Sequence, residues 1–163
     1  MTGAEGMGDG STSVDAAERR RYPVRPVVGV GAVIVEAGRV VLVRRRYEPL
    51  AGHWSLPGGK LELGETLTDG IAREVFEETG LLVDVGPVVE VFDRITRDDH
   101  GRVQYHFVLV DFLCRRRGGV LLAGSDVDDV ALADPADLEA FALSPKATEV
   151  IVAALRLIGA GRP

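Results

Sequence analysis

Three glutamates lie close together at the carboxyl end of one predicted helix. The segment Leu67–Thr79 has helical spacing, and Glu74, Glu77 and Glu78 fall in its last turns. Like charges at neighbouring helical positions cost about 0.2–0.5 kcal/mol per pair, and an acid at the negative end of the helix dipole costs about 0.3–1 kcal/mol more. A divalent cation would relieve this repulsion, and Mg²⁺ prefers carboxylates combined with substrate phosphates. The cluster therefore indicates a candidate magnesium site.

The helical wheel separates two interpretations of these acids. Glu78 lies about 20° from Ile71, which belongs to the apolar stripe of the helix. Glu74 borders the same stripe, whereas Glu77 points outward, where Arg73 can reach it from one turn away. A solvated charged face is the alternative to a metal site, and it explains Arg73 and Glu77 but not an inward Glu78. The helix alone leaves both interpretations open.

A glycine-rich loop immediately precedes this helix. Gly58 and Gly59 lack side chains, so the backbone there can closely approach a phosphate or a metal, and Lys60 adds a cation. Taken alone, such a triplet is more typical of an ordinary turn. Thr66 predicts the amino-terminal cap of the helix, and Gly80 predicts a left-handed end. The loop and the helix are therefore expected to form one continuous element.

The interval from Gly59 to Leu81 follows a single spacing pattern. Five residues separate Gly59 from Glu65, and seven more lead to the run Arg73–Leu81. This pattern resembles the Nudix box at every defining position, and the wider resemblance covers roughly residues 25–160. It implies an α/β (α+β) fold, an α/β/α sandwich with a mixed β-sheet and a loop–helix–loop catalytic element. It also implies hydrolysis of a diphosphate by water with one to three Mg²⁺ ions, for which Mn²⁺ is expected to substitute.

The resemblance also implies the ligands of the metal. The acidic metal-binding positions of the family correspond to Glu74, Glu77 and Glu78, and its backbone ligand corresponds to the carbonyl of Gly58. Water needs a general base, for which Glu74 is one candidate. An acid in the run 126–129 is another, although a solvated turn is the favoured interpretation of that run.

The remaining box residues match supporting positions of the family. Arg73 matches the arginine that orients the catalytic glutamates, and Glu65 matches the acid that supports the loop or an outer-shell metal. Gly59 belongs to the loop itself, and Lys60 matches a position that steadies phosphate charge.

Substrate contacts are predicted outside the box. One of the consecutive arginines Arg44, Arg45 and Arg46 should meet phosphate, with Arg44 and Arg46 as the predicted contacts, depending on how the strand continues past Val43. Tyr105 is a candidate for stacking on a base, although its strand face could equally belong to the core.

The overall resemblance is to bacterial ADP-ribose pyrophosphatases, which release AMP and ribose 5-phosphate. The alternatives are a pyrophosphohydrolase of oxidised nucleoside triphosphates and a catalytically silent nucleotide sensor. Sensors of this family commonly lose a box acid, and all of the box acids are present here, which favours an enzyme. The predicted partner is a small nucleotide substrate.

Composition narrows the remaining classes. The 163 residues carry a net charge of −6, which argues against a broad nucleic-acid surface. The single cysteine, Cys114, excludes an internal disulfide and is consistent with the cytoplasm. No run of apolar residues is long enough to span a membrane. Residues 1–22 are predicted to be a disordered leader, and residues 23–163 one domain, either monomeric or homodimeric.

Alternating and helical patterns predict the elements that position the site. Strands are expected over 27–35, 39–43, 83–95, 103–114 and 120–122, with a loop over 44–57 and a final helix over 147–158.

Overall fold

The computed structural model describes residues 21–160. Residues 1–20 of the predicted leader lie outside the described residues. The predicted extent of the domain, residues 23–163, stays a prediction. Tyr22, at the end of that leader, donates its backbone N–H to the carbonyl of Gln104 at 2.8 Å and its hydroxyl to Asp98 at 2.9 Å. The elements in chain order are β1 Val27–Glu36, β2 Arg39–Arg45, β3 Trp54–Ser55, β4 Gly58–Lys60, α1 Leu67–Thr79, β5 Leu81–Arg97, β6 Val103–Gly119, β7 Val127–Ala133, a 3-10 helix Pro135–Phe141 and α2 Pro145–Ala160.

The strands form one mixed sheet with the order β3-β2-β1-β6-β5. β1 pairs in parallel with β6, whereas β5 pairs with β6 as a long antiparallel hairpin. Two further strands lie off this path: β4 pairs with β1, and β7 pairs with β2. The mixed sheet with its few helices confirms the predicted fold class.

Two hydrophobic clusters form the core. The first contains Ile71 and Val75 of α1 together with Val110 and Phe112 of β6. The second contains apolar residues of α2 and of β1 and β2. Cys114 belongs to the first cluster, and its burial raises the thiol pKa to about 12, so little reactive thiolate forms near neutral pH.

Several predicted element bounds are wrong. β2 continues through Arg45, two residues into the predicted loop, because the strand pairs with β7 along that length. Residues 120–122 form no strand. Instead, the N–H of Leu122 donates to the carbonyl of Thr79 at 2.9 Å, which satisfies a free acceptor at the end of α1. The helix Leu67–Thr79 has the predicted bounds. Among residues 21–160, no helix is long and apolar enough to cross a membrane.

Candidate active site

The caps of α1 determine where its glutamates lie. The Oγ1 atom of Thr66 accepts the N–H of Asp69 at 3.1 Å, and Gly80 ends the helix with a φ of 70°. Glu78 is 3% exposed, in agreement with its inward position on the helical wheel. The side chain of Glu74 is 14% exposed and that of Glu77 is 49% exposed, so the three acids extend from the core to the surface.

The glycine loop is held against the same helix by β1. Gly58 has a φ of 148°, and a Cβ atom there would lie 2.1 Å from the carbonyl oxygen of Val30. Its N–H donates to the Oε2 atom of Glu78 at 2.9 Å. A Cβ atom on Gly59 would lie 2.4 Å from the carboxylate of Glu74. Both glycines are therefore needed for the loop to approach the acids.

Arg73 connects the loop to two of the glutamates. Its Nη1 atom donates to Glu74 at 2.9 Å and to Glu77 at 3.0 Å. The opposite edge of the guanidinium donates to both oxygens of Glu65, from Nε at 2.6 Å and from Nη2 at 3.0 Å. Nη2 also lies 3.2 Å from the carbonyl of Lys60. Arg73 thus orients carboxylates, the arrangement expected from the box.

Arg45 is the arginine of β2 that reaches the box. Its Nη1 atom donates to the carbonyl of Gly58 and to the Oε1 atom of Glu78, both at 2.8 Å. Its Nε atom donates to the hydroxyl of Ser55 at 2.9 Å, and Nη2 donates to the carbonyl of Leu56 at 3.3 Å. Our sequence-based choice of Arg44 and Arg46 omitted this residue, although it belongs to the same run of three arginines.

The side chains of the two chosen arginines, Arg44 and Arg46, contact β7 and not the box. Arg44 lies 3.7 Å from Asp129, and its guanidinium stacks over Trp54 at 5.7 Å. Arg46 donates to Asp128 at 2.9 Å. Asp128 and Asp129 lie in β7 and pair with arginines, so neither the favoured solvated turn nor the alternative of a catalytic loop describes these two residues.

Asp126 is the acid of this run that influences the box. It precedes β7, and its charge is among the causes that raise the pKa of Glu78. The adjoining N–H of Gly124 donates to the carbonyl of Glu78 at 3.0 Å, which holds the segment against the end of α1. Asp126 is therefore the later-loop acid that the structure leaves as a candidate base.

Burial and hydrogen bonding shift the pKa values of the box acids in opposite directions. Removal from water raises the pKa of Glu78 to about 7, against the opposing charge of Arg45. Burial also raises the pKa of Glu74. Hydrogen bonds from Arg73 hold the pKa of Glu65 near about 2, so Glu65 is a permanent anion at neutral pH.

A pocket of about 390 Å³ contains Tyr105, the predicted stacking residue. The Tyr105 ring is nearly parallel to that of Phe107, with centroids 6.2 Å apart. Arg94 also lines this pocket, and both its burial and the charge of Arg45 lower its pKa. Sequence reasoning missed Arg94, whose proximity to Arg45 depends on the pairing of distant strands.

The side chain of Lys60 is exposed.

The ligand set suits a hard cation. The carbonyl of Gly58 and the carboxylate of Glu78 already share one cationic atom, Nη1 of Arg45, and oxygen donors of this kind fit Mg²⁺. Within residues 21–160, no group of three acidic, histidine or cysteine side chains is arranged around one metal position. Here Arg73 forms ion pairs with Glu74 and Glu77, while Arg45 forms one with Glu78.

Comparisons with known proteins identify the family of the chain. The family model described as NUDIX domain matches residues 25–154. An ADP-ribose pyrophosphatase of Methanocaldococcus jannaschii is 32% identical over 117 residues, covering 72% of this chain and 67% of that protein. An 8-oxo-dGDP phosphatase of Mus musculus is 32% identical over 137 residues, but the chain spans only 40% of its length.

A solved structure gives the same result for the fold. The crystal structure of an ADP-ribose pyrophosphatase from Streptococcus suis is 26% identical, with a TM-score of 0.65, and the match covers 85% of this chain and 96% of that one. Together with the family match over most of the chain, these likenesses show that the chain belongs to the Nudix hydrolase family.

Proposed function

We propose that the chain hydrolyses the diphosphate of ADP-ribose, with Mg²⁺, to AMP and ribose 5-phosphate. The observation that carries the proposal is the convergence of Glu78, Glu74 and the Gly58 carbonyl at one end of α1. The resemblance to proteins named ADP-ribose pyrophosphatase supports this choice of substrate.

The residues proposed to hold Mg²⁺ are Glu74, Glu77, Glu78 and the carbonyl of Gly58. When bound, the ion would neutralise phosphate charge and lower the pKa of the attacking water. The oxygen of that water forms a bond to phosphorus while the bridging phosphoanhydride bond breaks, so one water is consumed for each pair of products.

Glu74 is our candidate for the base that accepts the proton of this water. Arg73 anchors one of its oxygens at 2.9 Å, and burial raises its pKa towards the range useful for a base. Asp126 is the second candidate, because its charge acts on Glu78 from the segment before β7. Replacing each by its amide and comparing the pH dependence of kcat would distinguish them.

A nucleotide-cleaning activity is the second candidate function. It is favoured by the resemblance to an 8-oxo-dGDP phosphatase; the parallel pair Tyr105 and Phe107 offers an aromatic surface to the base of either substrate. The two functions differ in their products, because a triphosphate would release pyrophosphate and a nucleoside monophosphate.

The deciding experiment is a hydrolysis panel with the full chain, Mg²⁺ and, in parallel, Mn²⁺. The panel contains ADP-ribose, NADH, diadenosine polyphosphates, and normal and oxidised dNTPs. Glu78→Gln should lower kcat about 10³-fold, because loss of a metal-ligand charge removes several kcal/mol of transition-state stabilisation. Glu139→Gln, an exposed acid of the 3-10 helix, is the matched control and should retain activity.

The products decide between the candidates. AMP and ribose 5-phosphate, lost in Glu78→Gln, would support the leading proposal. A preference for triphosphates would move the assignment to the second candidate. Nucleotide binding without turnover of any diphosphate would contradict both and leave a nucleotide sensor.

A further inference from the structure

The guanidinium of Arg45 lies where two of the proposed metal ligands meet. Its Nη1 atom donates to the Gly58 carbonyl and to the Oε1 atom of Glu78, both at 2.8 Å. The second oxygen of Glu78 accepts the N–H of Gly58 at 2.9 Å. Each oxygen of this buried carboxylate therefore already has a donor, and one of the two donors is a cation.

A metal ion and this guanidinium cannot share the same pair of oxygens, because two cations in contact would repel each other strongly in a buried setting. We propose that Arg45 is an internal counter-ion that occupies the metal ligands and is displaced when the divalent ion binds. Arg45 thus neutralises Glu78 until the metal arrives, and the ion must break this contact in order to bind. This inference rests on the metal site of the proposed function, but not on the identity of its substrate.

Arg73 also contacts proposed metal ligands, but it differs from Arg45 in a way that explains why Arg45 is the arginine that is displaced. Glu65 holds the opposite edge of Arg73 with two hydrogen bonds. The other contacts of Arg45 are with neutral oxygens, those of Ser55 and Leu56. Within residues 21–160, Glu78 is the acid with which Arg45 forms a salt bridge. Arg45 can therefore leave its carboxylate without breaking a second ion pair.

The displaced guanidinium would need a new anion. The side chain of Arg45 is 26% exposed, so an anion can reach it from solvent. The positive charges of Arg45 and Arg94 influence each other, since Arg45 lowers the pKa of Arg94. A diphosphate placed beside the metal would supply that anion to Arg45, and the positive charge of Arg94 would add to the attraction. Metal and diphosphate are therefore expected to bind with positive coupling, each tightening the binding of the other.

The test measures Mn²⁺ binding to the full chain without nucleotide, by electron paramagnetic resonance of the free ion and by calorimetry. Arg45→Met should bind Mn²⁺ about tenfold more tightly than the wild type, because the ion no longer has to break a charged hydrogen bond. Arg44→Met is the control, because it also removes one positive charge but at a side chain that contacts Asp129 of β7 and not the box. It should change the Mn²⁺ affinity less than about twofold.

Thermal unfolding gives a second readout that does not depend on activity. In EDTA, Arg45→Met should unfold at a lower temperature than the wild type, because the buried carboxylate loses its cation. Saturating Mn²⁺ should remove most of this difference, since the ion replaces the lost charge. If Arg45→Met does not fold, Arg45→Lys keeps the charge but loses the rigid contact shared by the Gly58 carbonyl and Glu78. Arg45→Lys should then bind Mn²⁺ more tightly than the wild type and by more than Arg44→Met does, and an affinity equal to or weaker than that of the wild type would overturn the proposal.

The outcomes separate this inference from the proposed function. Unchanged or weaker Mn²⁺ binding in Arg45→Met, an equal gain in Arg44→Met, or a stability loss that Mn²⁺ does not restore would overturn the counter-ion role. The proposed metal site itself would fail only if the wild type bound no divalent ion. A chain that binds Mn²⁺ as expected but does not cleave ADP-ribose would leave the role of Arg45 intact.

Discussion

Glu65 and Arg73 form a two-pronged ion pair, with Nε 2.6 Å from Oε1 and Nη2 3.0 Å from Oε2. Planar guanidinium and carboxylate groups match in this geometry, which fixes the orientation of the arginine. The remaining Nη1 atom is thereby aimed at both Glu74 and Glu77. Glu65 acts on the proposed metal ligands through Arg73 and not through direct contact.

The first prediction concerns Arg73→Lys. An ammonium group cannot hold both oxygens of Glu65 and still reach Glu74 and Glu77, so the glutamates should lose their fixed orientation. We expect kcat to fall about 10–100-fold, the usual effect of removing a residue that supports metal ligands. Steady-state hydrolysis of the best substrate in the panel measures this change. Arg115→Lys, at an exposed arginine paired with Asp84, is the control, and an equal loss in both variants would contradict the prediction.

The second prediction concerns the close approach of Gly59 to Glu74. In Gly59→Ala, the added methyl group would lie 2.4 Å from the Glu74 carboxylate, so the side chain of Glu74 must rotate away. A misplacement of this size can cost about 10²-fold in kcat. The midpoint of urea unfolding should change little, because the clash involves the end of a side chain and not the backbone.

Two other glycines serve as references for Gly59→Ala. Gly118→Ala should keep both activity and stability, because its nearest neighbour would be a Leu82 methyl group at 3.8 Å. Gly58→Ala should instead prevent folding, since its methyl group would meet the Val30 carbonyl at 2.1 Å. Full activity of Gly59→Ala would show that the position of Glu74 is unimportant.

Local patterns were sufficient to predict α1 and its acids. The apolar stripe that includes Ile71, the cap at Thr66 and the stop at Gly80 all lie within a few residues of one another, and each occurs in the structure. The inward position of Glu78 follows from the same periodicity. A helix of this kind is specified by short-range spacing, so the sequence is a reliable guide to it.

The assignment of the consecutive arginines depended on distant residues instead. Arg44 and Arg46 contact Asp129 and Asp128 on one side of the strand end, whereas Arg45 contacts Glu78 on the other. Alternation along the strand separates the two sides, but the contacts of Arg45 with Gly58 and Glu78, distant in sequence, decide which side faces the box. The predicted strand at 120–122 failed for a related reason, because the N–H of Leu122 donates to the carbonyl of Thr79 at the end of α1.

A third prediction follows from Asp111, a buried acid on β6. Burial, and then the charge of Glu90, raise its pKa to about 6, whereas an unfolded aspartate titrates near about 3.9. Between these two values the folded chain binds more protons than the unfolded chain, so the free energy of unfolding falls as pH rises through this window. Asp111→Asn should remove this loss and be more stable than the wild type at pH 8 by on the order of 1–3 kcal/mol.

Urea unfolding at pH 4 and pH 8 tests the prediction for Asp111. The advantage of Asp111→Asn should be present at pH 8 and nearly absent at pH 4, where the wild-type side chain is already neutral. Asp99→Asn, at an exposed position of the β5–β6 hairpin, should show no such pH-dependent gain. Parallel pH profiles for Asp111→Asn and the wild type would show that Asp111 does not titrate in this range.

The fourth prediction concerns Tyr105 and the choice of substrate. Its ring lies beside Phe107 and lines the pocket that also contains Arg94. If a nucleotide base stacks there, Tyr105→Ala should lose about 1–3 kcal/mol of binding, which raises KM about 5–150-fold with little change in kcat. Leu157→Ala removes an exposed apolar side chain from α2 and should leave both constants unchanged. A fall in kcat at constant KM would place Tyr105 outside substrate binding, because the loss would then occur only in the transition state.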